Sequence, residues 1–142
     1  MKSNEMLATD DLLVADVMTI DPIVVEINAS IEDAAHVLRA NSITGLPVVD
    51  EEGVLVGVIS QTDLVTAADS PVGRVIRGNA SGLRVGELMS APAVTVAMTR
   101  PLTDAARIML DRRIHRLVAL DEVGRPVGVL SSMDFVALYA ST

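Results

Sequence analysis

The sequence predicts an α+β chain made of two copies of one β-α-β-β-α unit, and three observations predict it. The first is a constant offset. Asp63-Leu64 and Asp134-Phe135 lie 71 residues apart, from 63 to 134. The same offset maps Asp33-Ala34-Ala35 onto Asp104-Ala105-Ala106, Asp50-Glu51 onto Asp121-Glu122, Gly53 onto Gly124, Gly57-Val58 onto Gly128-Val129 and Ser60 onto Ser131. An offset that survives helix-like and strand-like stretches alike marks a duplicated supersecondary unit. The second is that each copy switches between short apolar runs and helical spacing in the same order. The third is that 50% of the 142 residues are hydrophobic, enough for a core. A unit of this size seldom buries its apolar face alone, so its copy is the expected packing partner.

The elements follow in order. Residues 1–9 read as a weakly docked tail, 10–70 as the first repeat, 71–84 as a connector and 85–142 as the second repeat. A short helix over 12–18 is expected to lead into a loop, with its counterpart at 85–89. Short strands are expected at 23–26 and 94–96. Asn28 and Thr99 are the expected N-caps of the helices that follow, with Pro101 in the first turn of the second. Ile31, Ala34, Ala35 and Leu38 form one apolar stripe, and Leu102, Ala105, Ala106 and Met109 repeat it. Hairpins then turn at Asp50-Glu51-Glu52-Gly53 and Asp121-Glu122-Val123-Gly124. Each returning strand ends in Ser, with Asp at the expected helix start: Ser60-Gln61-Thr62-Asp63 and Ser131-Ser132-Met133-Asp134. In the connector, Val72, Val75 and Ile76 suit one amphipathic turn. Phe135, Val136, Leu138 and Tyr139 suit a terminal helix at a dimer contact.

Composition excludes several classes. One Phe, one Tyr and no Trp leave no aromatic platform for stacking nucleic-acid bases. Eleven basic against nineteen acidic residues give −8, which opposes nucleic acid and anionic lipid. No cysteine means no disulfide, thiolate zinc site or cysteine nucleophile. No apolar run approaches the roughly 20 residues that span a bilayer. The first ten residues lack the order of a signal peptide. A cytoplasmic protein is the expectation.

Several pieces carry a family resemblance. They are Val17-Met18-Thr19 with Asp21-Pro22, the run 43–50, and Gly57-Val58-Ile59-Ser60-Gln61-Thr62-Asp63. In the second copy they are Leu88-Met89-Ser90, the run 114–121, and the run 128–134. In these the chain resembles tandem CBS domains, the pair called a Bateman module. The resemblance covers nearly everything from Val14 to Tyr139. It implies two β-α-β-β-α units related by a pseudo-twofold axis, with three-stranded sheets facing each other. It also implies a homodimer, adenosine nucleotides bound in clefts between repeats, and regulation of an unknown protein effector without catalysis.

Asp63 and Asp134 admit two readings. An Asp at a helix start caps its helix, and it can also accept hydrogen bonds from the vicinal hydroxyls of a ribose. Phosphates call for cations, and Arg112, Arg113, His115 and Arg116 cluster on an acidic chain with ten Arg and one Lys. Arg112 and Arg113 suit a helix C-terminus. His115-Arg116 stands where a loop enters a strand and resembles a phosphate-reading His-Arg pair of the family, whereas its counterpart Thr44-Gly45 is uncharged. Carried over by position, the resemblance implies one nucleotide site of Asp134, Ser131, His115 and Arg116 with Thr19, Val24, Ile43 and Thr44. The other comprises Asp63, Thr62 and Ser60 with Ser90, Thr95 and Ile114. Met133 departs from the pattern where Thr62 follows it.

Other constellations fail. There is no Gly-x-Gly-x-x-Gly or P-loop, no nucleophile elbow, and no partner at metal-ligand spacing for His36 or His115. The expected ligand is AMP, ADP or ATP with no required cofactor, no metal and no enzymatic activity. S-adenosylmethionine or NAD, and a ligand-free dimerising scaffold whose Asp residues are only caps, are the alternatives.

Overall fold

The computed structural model describes residues 11–68, 82–91 and 93–141. Their order is α1 (Val14–Val17), β1 (Thr19–Ile20), β2 (Val25–Glu26), α2 (Ile31–Ala40), β3 (Gly45–Val49), β4 (Leu55–Ser60), α3 (Gln61–Ala68), α4 (Val85–Leu88), β5 (Thr95–Ala97), α5 (Leu102–Arg112), β6 (Arg116–Leu120), β7 (Pro126–Ser131) and α6 (Ser132–Ala140). Each copy thus has the expected β-α-β-β-α order. The tail and the turn at Val72, Val75 and Ile76 lie outside the described residues.

The compact units do not coincide with the sequence repeats. A middle unit takes the described residues from Ile23 to Ala93, and a terminal unit takes those up to Pro22 and from Val94 onward. Backbone hydrogen bonds explain the exchange. In the terminal unit Val14 N–H donates to Arg100 O (2.9 Å), Ala15 N–H to Met98 O (3.0 Å) and Leu102 N–H to Leu12 O (2.8 Å). In the middle unit Val85 donates to Ala29 O (2.8 Å), Gly86 to Ile27 O (2.9 Å) and Ile31 to Leu83 O (3.2 Å). These are the same three bonds under the repeat offset. Val14 and Val85, both fully buried, seat α1 and α4 in units built mainly from the other copy.

Each unit has its own sheet and core. The middle sheet runs β2-β3-β4, with β2 parallel and β4 antiparallel to the central β3. The terminal sheet runs β1-β7-β6-β5, with a fourth strand where three were expected. That strand, β1, sets Thr19 opposite Val129 and Ile20 opposite Gly128. Its counterpart is the single bridge Val58–Ser90. Leu46, Val48 and Ile59 on one sheet, and Leu117, Ala119 and Leu130 on the other, are almost wholly buried. A Leu or Ile of this kind contributes roughly 1.5–3 kcal/mol. Both hairpins carry a register shift at one place, Val48/Val49 and Ala119/Leu120.

Several local expectations are corrected. The helices start later than Asn28 and Thr99 imply. Ser30 caps α2, its Oγ accepting Asp33 N–H at 3.0 Å, and Pro101 holds the cap position of α5 instead of its first turn. The stripe is narrower too. Ile31, Ala34 and Leu38 are buried, as are Leu102, Ala105 and Met109, but Ala35 is exposed and Ala106 half-buried. β2 is shorter than its expected span of 23–26. Thr95 pairs with Val118, whereas Pro47 in the equivalent place has no N–H to give, so β2 begins only at Val25.

The hairpin turns are held by side chains. Asp50 Oδ1 accepts the Glu52 and Val54 amides at 2.9 and 3.0 Å, and Asp121 Oδ1 accepts those of Val123 and Arg125, both at 2.9 Å. Gly53 and Gly124 close the turns at φ 84° and 93°, which glycine adopts without strain. The Arg125 amide above all holds the Asp121 carboxyl below its ordinary 3.8 against an opposing desolvation, with the Val123 amide and the Arg125 charge adding to it.

Two predictions follow from this packing. A Cβ on Gly128 would lie 2.5 Å from Met18 Sδ and 2.9 Å from Thr19 O, whereas one on Gly45 meets nothing nearer than Ile59 O at 3.8 Å. Gly128→Ala is therefore expected to lose about 1–3 kcal/mol in urea denaturation, with Gly45→Ala close to wild type. Because the folded pKa of Asp121 is depressed, its charge stabilises the fold above the unfolded value. That contribution disappears as pH falls from 3.8 through the folded pKa. The stability deficit of Asp121→Ala at neutral pH should shrink over that interval in acid-titrated denaturation curves.

Candidate functional site: two capped carboxylates

β4 and β7 each end in a serine that is also the residue before a helix. In the middle unit Asp63 Oδ2 accepts the Ser60 amide at 2.9 Å, while the Asp63 amide donates to Ser60 Oγ at 3.2 Å. This is a capping box with Asp in the Glu/Gln position. The terminal unit repeats it with a changed hydroxyl. Ser131 N–H donates to Asp134 Oδ2 at 2.7 Å, and Ser131 Oγ donates to the same oxygen at 3.2 Å. Both aspartates are half-buried, and both satisfy the cap with Oδ2.

The second oxygens differ. Asp63 Oδ1 accepts the Ser90 hydroxyl at 3.2 Å. Ser90 reaches it because its amide donates to Val58 O (2.8 Å) and its carbonyl accepts Val58 N–H (2.9 Å). Asp134 Oδ1 has no hydrogen-bond partner among the described residues, although Thr19 stands where Ser90 does in the other copy.

Register places the cations. Arg116 opens β6 and lies directly opposite Ser131, so both side chains share one face of the strand pair. His115 precedes it, its carbonyl accepting Ser132 N–H at 2.9 Å. Both are exposed, and Arg116 has no ion pair with another described residue. In the middle unit Gly45 faces Ser60, and Thr44 O accepts the Gln61 amide at 2.9 Å. That end therefore has the same backbone and no charge. Arg112 closes the last turn of α5, and Arg113 follows at φ 55° in the left-handed conformation.

The expected residues are thus distributed by unit. Asp63, Ser60, Thr62, Ser90, Thr44, Ile43 and Val24 belong to the middle unit, and Asp134, Ser131, His115, Arg116, Thr19, Thr95 and Ile114 to the terminal one. Within units the structure brings Ser90 to Asp63, and it puts Arg116 across from Ser131. Thr62 and Met133 are both exposed on the first turn of their helices. The Ser90–Asp63 bond spans 27 positions and has no spacing signal of its own. Among the described residues no group of three His, Cys, Asp or Glu could hold a metal ion. No described helix is long and apolar enough to cross a membrane.

Comparison with known proteins defines the class. The CBS domain matches residues 14–70 and 85–141, and the chain belongs to the CBS domain family as a tandem pair. It is 32% identical over 135 residues to the chloroplastic CBS domain-containing protein CBSX2 of Arabidopsis thaliana, covering 80% of this chain but only 56% of that protein's length. A CBS domain-containing protein of Dictyostelium discoideum is 32% identical over 133 residues, covering 89% of this chain and 90% of its own. Among solved structures, CBSX2 in complex with AMP superposes with a TM-score of 0.76 at 33% identity, covering 91% of this chain and 96% of that one. The CBS domain pair of protein MJ0100, in complex with 5′-methylthioadenosine and S-adenosyl-L-methionine, gives 0.71 at 29% identity, covering 91% and 96%.

The caps are testable apart from any ligand. Asp134→Ala removes the acceptor of two bonds from Ser131 and should cost about 0.5–2 kcal/mol in thermal or urea denaturation. Asp134→Asn keeps an acceptor oxygen and should cost less.

Proposed function

We propose that this chain is a non-catalytic regulatory module of the cytoplasm that binds an adenosine nucleotide (AMP, ADP or ATP) and acts as a homodimer on a protein effector. One observation carries the reading. Each capping box uses Oδ2 for its own backbone and leaves Oδ1 out of the cap, an acceptor of the kind a ribose diol requires. Arg116, without an ion pair among the described residues, supplies a planar fork for phosphate beside Ser131, and His115 adds a second donor. In the middle unit Val24 and Ile43 are the apolar candidates for contact with a base and Thr44, Thr62 and Ser90 the polar ones; in the terminal unit Ile114 is apolar and Thr19 and Thr95 are polar. The AMP complex of CBSX2 supports the ligand class.

The dimer is supported by α6, where Met133 and Val136 lie three residues apart on the helix and are 67% and 55% exposed. A chain without cysteine has no need of an oxidising compartment, which accords with the cytoplasmic placement. A second reading concerns the Asp63 end, where Thr44 and Gly45 provide no cation. An adenosyl compound without a phosphate tail, such as the S-adenosylmethionine of the MJ0100 complex, suits it; NAD, whose pyrophosphate calls for a cation, suits it less.

Calorimetric titration tests the proposal. AMP and ATP should release heat with the wild type, and Asp63→Asn and Asp134→Asn should each weaken one binding phase by about tenfold or more. Arg116→Ala should weaken ATP at least as much as AMP. Absence of heat with every adenosine ligand at millimolar concentration, with a melting temperature indifferent to nucleotide, would leave only a dimerising scaffold.

A further inference from the structure

We propose that the Ser90 hydroxyl is a built-in occupant of the ribose position on Asp63, which makes the Asp63 end the weaker of two unequal binding sites. This rests on the nucleotide reading above and deepens it. Ser90 Oγ donates to Asp63 Oδ1, the carboxylate oxygen that the cap leaves over, and so does what a ribose hydroxyl would do. The placement is built into the backbone. Ser90 is held by paired bonds to Val58, and Gly57 beside it leaves no room for a Cβ, which would lie 2.7 Å from Ser90 O and 2.8 Å from Met89 Sδ. The main chain of Ser90 is therefore fixed, and only rotation about χ1 frees the oxygen.

Displacement is easy. At 3.2 Å the contact is longer than the roughly 2.5–2.7 Å of a strong hydroxyl–carboxylate bond. Ser90 is also exposed, so its hydroxyl finds water when it turns away. A ligand at Asp63 must nonetheless exchange one bond for another, whereas Asp134 Oδ1 has no such partner among the described residues. Thr19 takes the place of Ser90 there, and its β-branched side chain has fewer χ1 wells in which to reach the carboxylate. The cations favour the same ranking, since His115 and Arg116 stand in the terminal unit and Thr44 and Gly45 in the middle one.

AMP titration by calorimetry into wild type, Ser90→Ala, Ser90→Thr and the double variant Ser90→Ala/Asp63→Asn decides the matter. The wild type should show two phases, the tighter lost in Asp134→Asn and the weaker in Asp63→Asn. Ser90→Ala should tighten the weaker phase about three- to tenfold, the worth of one displaced hydrogen bond, and leave the tighter phase unmoved. The gain should vanish in the double variant and be smaller in Ser90→Thr, whose hydroxyl reaches the carboxylate from fewer rotamers. Binding that weakens or stays the same in Ser90→Ala, with Asp63→Asn still removing a phase, overturns the displacement and keeps the nucleotide reading. Titrations without heat in every variant overturn both.

Discussion

The seating of Val14 and Val85 is the constraint on which the rest depends. Each is fully buried, and each begins a four-residue helix too short to persist alone. What holds it is tertiary, three backbone bonds to the strand and helix start of the other copy and a valine in that copy's core. Neither repeat closes its own core, because the segment that opens each sequence repeat completes the other's unit. The exchange also delivers chemistry. The residues after each helix, Met18-Thr19 and Met89-Ser90, lie against Gly128 and Gly57, where any side chain on the strand would collide with them. Ser90 thereby reaches Asp63, and Thr19 stands in the equivalent place opposite Val129.

Much of this was legible and some was not. The duplication, the hairpins and the order of elements could be read because offset, period and turn residues agreed, and such agreement is what makes a sequence specify one fold. The caps were misread for a physical reason. Asn28 and Thr99 are good capping residues, but two positions later Ser30 both caps Asp33 and accepts the Ala34 amide on its carbonyl. Local propensity could not choose between them. β2 was overextended because Ile23 and Val24 look strand-like, while the deciding residue, Pro47, sits on the neighbouring strand. The exchange of α1 and α4 was invisible. Both segments have the same pattern, so nothing in either states which copy it will join.

The site was legible in its residue types and not in its bonding. Ser-x-x-Asp at two strand ends announced a cap and a second use together, and no spacing rule separates these. Coordinates separate them by oxygen. The asymmetry of charge was evident from Thr44-Gly45 against His115-Arg116, but its consequence needed the register. Arg116 faces Ser131 as Gly45 faces Ser60, so one serine has a guanidinium across the strand pair and the other has a hydrogen atom. With the same hairpin register on both sides, the difference between these two strand ends is chemical.

The rival scaffold view requires both carboxylates to be spent on their own helices, and half of that condition is met. Ser60 and Ser131 do donate their amides to Asp63 and Asp134. A pure cap, however, needs only one oxygen and gains nothing from a distant hydroxyl. Asp63 nevertheless holds a second partner 27 positions away, on the segment that the duplication exchanged. Asp134 keeps an oxygen unengaged by described residues while an arginine without an ion pair among them stands on the same strand pair. Arg100 and Asp104, by contrast, pair at 2.8 Å where α5 begins. Separated charges of this kind are the arrangement expected where a third, bipolar molecule completes the pairing: its hydroxyls on the carboxylate, its phosphate on the guanidinium.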